Sequence, residues 1–447
     1  MVAGLPGEFV FGVATAAAQI EGGAAEGGRT PSIWDAFAAE PGRIADGSTP
    51  EVTCDHYHRW REDVALIADL GVDAYRLSIS WSRVLPDVAS SVNSAGIAFY
   101  DRLIDELLAQ GIAPWVTLYH WDMPNALMKR GGWLDRSSVD AFAEYVTAVA
   151  DALGDRVAAW ITLNEPVVHT GFGYALGTEA PGLTLLGGAF QAAHHQLLAH
   201  GRAVEILRDT VGLVGIVNNH TVVRPASQSD ADLLAAGMYE IYHNAQYAEP
   251  VLAGSYPAAL QMLPGATWDC IKPGDMQQIS APLDFYGVNY YQPTVVAAAP
   301  EDADMPFTFV TPDAGPVTDF GWPIDPAALT GLLVGLRSTY PGMPPVYITE
   351  NGCAYDDVFS PDGNLRDDTA RVDFLNRHLG AVVDSISAGV DVRGYFHWSL
   401  IDNWEWAEGF ARRFGLVRVD FGTLARTPRA SFAHYRALIA DHRATAV

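Results

Sequence analysis

Cysteine is scarce in this 447-residue chain, with only Cys54, Cys270 and Cys353. Three widely separated thiols fit neither a disulfide framework nor a CxxC metal pattern, and a reducing compartment is the simpler expectation. Cationic residues are in deficit as well: 27 Lys and Arg stand against 53 Asp and Glu. The overall field therefore repels phosphate backbones, which excludes nucleic acid as a partner but bears on solubility, not on substrate charge. No uninterrupted apolar run approaches the roughly 20 residues that a spanning helix needs, so no membrane association is expected. The opening segment, MVAGLPGEFVFGVATAAAQIEGG, lacks a basic n-region, and Gly, Pro and Glu interrupt its apolar residues. It does not read as a secretory signal, and a soluble, cytoplasmic protein is expected.

The length permits one α/β barrel with insertions or two or three smaller domains. Short apolar, β-branched runs decide between them: strands are predicted at 9–17, 74–80, 113–120, 158–164, 212–218, 283–291, 345–350 and 392–399. Helical patterns lie between them, such as 55–70, with Tyr57, Trp60, Val64 and Ile67 on one face, and 138–153, with Val139, Phe142, Val146 and Val149 on another. Strands apolar almost throughout, each followed by a long crossover, indicate a parallel sheet covered by helices. An open doubly wound sheet would usually carry a GxGxxG turn after its first strand, and VATAAAQIEGG lacks that spacing. The expected architecture is an α/β fold, a (β/α)8 TIM barrel forming one domain over residues 1–447. Residues 296–320, rich in Ala, Pro and Asp, read as a long insertion loop.

In such a barrel the reactive groups gather at the C-terminal ends of the strands. The polar residues there are Gln19 and Glu21 after the first run, His120 and Trp121 after the third, Asn164 and Glu165 after the fourth, and Asn289 and Tyr291 at the sixth. Glu350 and Asn351 end the seventh, and Trp398 ends the eighth, with Glu405 and Trp406 beyond it. Glu165 in WITLNEP and Glu350 in VYITENG stand where burial shifts carboxyl protonation. Such a pair is what glycoside hydrolysis needs, one carboxyl protonated to assist the leaving oxygen and one ionised to attack or stabilise the anomeric carbon. Either Glu alone reads equally well as a helix cap or an arginine partner; two at equivalent strand ends favour chemistry.

Trp81, Trp121, Trp398, Trp404 and Trp406 could stack on sugar rings, or simply fill the core. His120 is a candidate donor to a sugar hydroxyl, although a histidine among buried residues is more often a packing group. His194, His195 and His200 lack a companion carboxylate at metal-ligand spacing, so no metal is assigned. Cys353 has no identifiable base beside it and is read as structural.

The motifs FVFGVATAAAQIEGG, YRLSISWSRVLP, VTLYHWDMP, TLNEP, GVNYY, ITENG and HWSLIDNWEWAEGFARRFGLVRVDF run nearly end to end, and in that order the chain resembles glycoside hydrolase family one. The resemblance implies a (β/α)8 barrel, a deep pocket for one terminal sugar, retention of the β configuration, no cofactor, and a small-molecule β-glycoside as partner. It implies Glu165 as acid/base and Glu350 as nucleophile, with Arg76 and Tyr291 contacting the nucleophile, Asn289 supporting the pair, and Asn164 on the sugar 2-hydroxyl. Gln19, His120, Glu405 and Trp406 match the family's hydroxyl clamp, with Trp398 as the platform beneath the sugar. A carboxylate at Glu405 disfavours 6-phosphorylated sugars. The implied activity is that of an exo-acting β-glucosidase on cello-oligosaccharides and aryl or alkyl glucosides, with galactosides and fucosides as secondary substrates. Predominant transfer to acceptors and a catalytically silent sugar-binding barrel are the alternatives. Val167 and Glu179 depart from the family pattern on the leaving-group side, where an aromatic residue and a His are common, and leave aglycone preference open. Ala17 departs mildly, as packing.

Overall fold

The computed structural model describes residues 4–86, 91–262, 265–311, 315–359, 365–366 and 368–445. Eight parallel strands close into a barrel: β1 (Val10–Ala14), β2 (Ala74–Ser78), β3 (Ala113–Thr117), β4 (Ala159–Asn164), β5 (Leu213–Asn219), β6 (Phe285–Asn289), β7 (Val346–Asn351) and β8 (Val392–Trp398). Each strand pairs with its neighbour in sequence, and β1 pairs with β8 to close the ring. Helices that cover it include α1 (His56–Leu70), α2 (Ser94–Ala109), α3 (Ser137–Leu153) and α4 (Phe190–Leu207). Of the residues expected on the inner faces, Trp60, Val64 and Ile67 on α1 and Val139, Phe142, Val146 and Val149 on α3 are buried, whereas Tyr57 is only half-buried. Among the described residues, no helix is long and apolar enough to cross a membrane.

The lumen is filled. Trp115 on β3 packs against Phe285, Tyr347 and Phe396 from β6, β7 and β8, with ring centroids 5.1, 4.8 and 4.8 Å apart. Large rings fit because glycine faces them from the adjoining strand. A Cβ at Gly12 would sit 2.2 Å from the Phe396 ring, one at Gly215 2.6 Å from Phe285, and one at Gly394 2.7 Å from Tyr347. This alternation of small and large residues turns the barrel floor into solid core, and the space for a ligand lies above it, at the strands' C-terminal ends.

Two expectations need correction. The first strand stops at Ala14, and Gln19 rides on a one-turn helix, Ala17–Ile20, which the alanine-rich sequence favours once the strand has left the barrel wall. The segment 296–320 is no plain loop. It contributes to a three-stranded sheet of Val223–Pro225, Thr294–Ala298 and Phe307–Val310, which buries Val296 and Phe307 against Ala235, Ala236 and Tyr239. Its Ala and Pro content hid that pattern, because only one side chain of Thr294–Ala298 is buried. Residues 312–314 of that stretch lie outside the described residues.

The Gly12→Ala variant should lower the thermal unfolding midpoint, with a loss of about 1–3 kcal/mol expected for overpacking. Gly237→Ala is the control, since a methyl there meets nothing within 4 Å. An unchanged midpoint for Gly12→Ala would contradict the filled-lumen picture.

Candidate active site

Glu350, near the end of β7, is buried and held on both oxygens. Arg76 on β2 donates from Nη1 to its Oε1 at 2.5 Å, and Tyr291, just past β6, donates its hydroxyl to Oε2 at 2.6 Å. The same guanidinium donates from Nη1 to the Thr349 carbonyl at 3.0 Å, from Nη2 to Asn164 Oδ1 at 2.6 Å and from Nε to Thr117 Oγ1 at 3.3 Å. A cation with all three of its nitrogens engaged cannot turn away, so the carboxylate it faces is fixed in place. Burial, with Glu350 adding, keeps the Tyr291 phenol protonated by raising it well above its ordinary range.

Glu165, the residue after β4, sits in the opposite electrostatic setting. Asn219 Nδ2 and Asn289 Nδ2 donate to it at 3.0 and 2.8 Å, both to Oε1. Burial, reinforced by the charge of Glu350, outweighs those bonds and pushes the carboxyl up to about 8. One carboxyl is thus braced by a cation while the other favours its proton, the environment-driven separation that acid and nucleophile roles require. The backbone of Glu165 has φ 43°, and Trp121 and Trp406 have φ 72° and 49°. Non-glycine residues in this region store strain, and such strain clusters at functional sites.

The remaining candidates join the same network. Asn164 shares its Oδ1 between Arg76 and Asn289 Nδ2 (3.1 Å) and donates Nδ2 to His120 Nε2 at 3.0 Å. Burial, with Arg76 nearby, lowers His120 well below its ordinary value, so the ring is neutral and carries its hydrogen on Nδ1. Gln19 Nε2 reaches Glu405 Oε2 and Asn403 Oδ1, both at 3.1 Å. Gln19 Oε1 and His120 Nδ1 are buried without a partner, an acceptor and a donor left for a bound group. His120 lies over Trp398 and Trp406, with centroids 6.0 and 5.8 Å apart, and Trp121 packs on Trp406 at 4.8 Å. Glu405 is raised well above its ordinary range by burial, with Glu179 and then Glu350 adding.

Not every candidate belongs here. Glu21 is taken up by Arg83 at 3.0 Å and Tyr100 at 2.6 Å. Trp81 stacks on Tyr145 in the core, and Trp404 donates to Ser48 Oγ beside Trp34. His194 bonds Asp275, His195 the Trp133 carbonyl, and His200 Thr162. Burial pushes the Cys353 thiol up to about 12, which makes it inert. Conversely, Thr117, Asn219, Thr349 and Asn403 brace the network although the sequence did not single them out. Asn219 was within reach, since it and His220 directly follow the predicted fifth strand, the position that flagged the others.

The family model described as Glycosyl hydrolase family 1 matches residues 1–444. The chain belongs to that family. Beta-glucosidase A of Thermotoga maritima is 44% identical over 98% of both chains. A bifunctional beta-D-glucosidase/beta-D-fucosidase of Bifidobacterium breve is 44% identical over 98% of this chain and 99% of its own. The crystal structure of a psychrophilic beta-glucosidase from Micrococcus antarcticus superposes with a TM-score of 0.94 at 44% identity, covering 98% of each chain. This family 1 hydrolase is an enzyme, and its likeness is to the beta-glucosidases of the family.

Removing Arg76 would leave a family 1 carboxylate buried without its cation. Arg76→Met is expected to cost about 3–5 kcal/mol of stability, and adding Glu350→Gln should recover part of that loss. Calorimetry of the single and double variants tests this, and a double variant no more stable than Arg76→Met would refute the charge argument.

Proposed function

We propose that this family 1 enzyme is an exo-acting, retaining β-glucosidase that removes terminal β-D-glucosyl residues from short cello-oligosaccharides and from aryl or alkyl glucosides. The observation that carries the reading is the contrast between Glu350, clasped by Arg76 and Tyr291, and Glu165, pushed up to about 8. In the first step a Glu350 oxygen attacks the anomeric carbon, the glycosidic C–O bond breaks, and the Glu165 proton passes to the leaving oxygen. Both amide donors fall on Oε1 of Glu165, so the proton that is transferred resides on Oε2. Once Glu350 is an ester its charge is gone, and with it the repulsion that helps to raise Glu165. The carboxyl then becomes the more readily ionised form that takes a proton from water. Water attacks the anomeric carbon, the ester bond breaks, and both groups return to their starting states.

Gln19, His120, Glu405 and Trp406 supply the hydroxyl clamp, Trp398 the platform, and Asn164 the contact to the 2-hydroxyl. Burial, with Glu179 and Glu350 adding, favours the protonated form of Glu405, and a 6-phosphate would meet a carboxyl group there that supplies no counter-charge, which supports unphosphorylated sugars over 6-phosphates. The bifunctional relative supports β-fucosidase activity as a secondary property. Val167 and Glu179 occupy the leaving-group side; burial, with Glu165 and Glu408 adding, pushes Glu179 up to about 8.

The deciding experiment is hydrolysis of aryl β-D-glucoside, galactoside, fucoside and 6-phosphoglucoside with the native enzyme and Glu350→Ala. Release from the glucoside that vanishes in the variant is expected, and silence on every glycoside would favour a binding barrel. For an alkyl glucoside, whose leaving group needs the proton, kcat/KM should fall as pH rises through about 8, where Glu165 loses it. That alkaline limb should be absent in Glu165→Gln; a limb that persists would remove Glu165 from the acid role.

A further inference from the structure

Asn219, which holds Glu165, is itself held. Beyond β5 the helix Asp230–Glu240 runs into a π-helical segment, Ile241–Ala245, a geometry frequent at functional sites. That segment carries His243, whose Nε2 lies 3.1 Å from Asn219 Oδ1, and whose Nδ1 lies 3.0 Å from the Tyr239 hydroxyl. A carboxamide oxygen can only accept, so Nε2 bears the hydrogen and Nδ1 accepts from the tyrosine. Burial pulls the His243 imidazole down to about 3, with His220 adding, so the ring stays neutral and keeps this tautomer. Donation therefore runs one way, from Tyr239 to His243 to Asn219 to Glu165. Turning the Asn219 amide over would set its oxygen against a carboxyl oxygen and its N–H groups against the His243 N–H.

We propose that His243, braced by Tyr239, is a positioning residue that locks the Asn219 amide with its N–H toward Glu165 and thereby fixes which carboxyl oxygen carries the transferable proton. The inference rests on the acid/base assignment of Glu165 made above. Releasing the amide weakens a hydrogen bond that favours the ionised carboxyl, so the alkaline limb should move to higher pH. The other groups that bear on Glu165, namely Glu350, Arg76, Asn289, Tyr291, Glu179 and Glu405, are not the groups His243 bonds, which are Tyr239 and Asn219.

The test compares the native enzyme with His243→Phe, His243→Gln, Tyr239→Phe, Asn219→Ala and Glu165→Gln. The readouts are the pH dependence of kcat/KM on an alkyl β-glucoside and kcat on 2,4-dinitrophenyl β-glucoside, where the water step is expected to limit. His243→Phe should raise the alkaline limb by about half a pH unit and lower kcat on the dinitrophenyl substrate at least about threefold, with KM little changed. His243→Gln, which restores an N–H donor, should return both toward native values. Tyr239→Phe, which removes only a hydroxyl, should shift the limb in the same direction by less, and it serves if His243→Phe does not fold. Asn219→Ala should gain no further shift from His243→Phe, because the two act through one bond. A native pH profile in both His243→Phe and Tyr239→Phe, or full additivity with Asn219→Ala, would overturn the proposal. A limb that survives in Glu165→Gln would instead overturn the acid/base assignment itself.

Discussion

The Arg76 guanidinium is the fixed point of the pocket. It is buried, and it ties β2 to β3 through Thr117, to β4 through Asn164 and to β7 through Thr349 and Glu350. A cation cannot be buried cheaply without compensation, and here compensation comes from one carboxylate and three neutral acceptors arranged around the closed barrel. Because Asn164 also reaches His120 and Asn289, the positions of His120 and, through Asn289, of Glu165 are referred back to the same side chain.

This dependence explains how two glutamates at equivalent strand ends come to behave differently. Glu350 faces a cation and a phenol, whereas Glu165 faces two neutral amides and the charge of its partner. Neither behaviour belongs to glutamate as such; each is written by the neighbouring strands. The left-handed backbones of Glu165, Trp121 and Trp406 fit this picture, Glu165 directly after β4 and the two tryptophans in the loops beyond β3 and β8. Such turns are maintained by the packing around them.

Much of the fold was legible because parallel barrel strands are buried on both sides and announce themselves as apolar runs. All eight predicted runs overlap a barrel strand, six of them containing it whole and those at 212–218 and 345–350 stopping one residue short, and the polar residues at their ends supplied the pocket. What was not legible depended on partners distant in sequence. Glu21 looks like Gln19 until Arg83 and Tyr100 are found beside it, and Trp404 looks like Trp406 until its Nε1 is found on Ser48 Oγ while Trp406 packs on His120 and Trp121. The two strands of the small sheet within 294–310 escaped because each buries a single side chain, Val296 and Phe307, amid Ala- and Pro-rich sequence. Asn219 escaped for a different reason: unlike Asn164 in TLNEP and Asn289 in GVNYY it lies in none of the family's motifs quoted above, and its importance lies in what it touches.

The glycine and aromatic interlock in the lumen gives the pocket a floor and closes the route through the barrel. On the proposed mechanism, a substrate enters sugar first from the side away from that floor, and its aglycone lies between the sugar and solvent. Departure is then ordered by geometry, because the sugar cannot leave until the vestibule above it is vacated. Whatever arrives next, water or another alcohol, must use that same vestibule, so hydrolysis and transfer compete for one space and not merely for one intermediate. On that mechanism, residues lining the vestibule would bear on the fate of the bound sugar without touching the carbon that reacts.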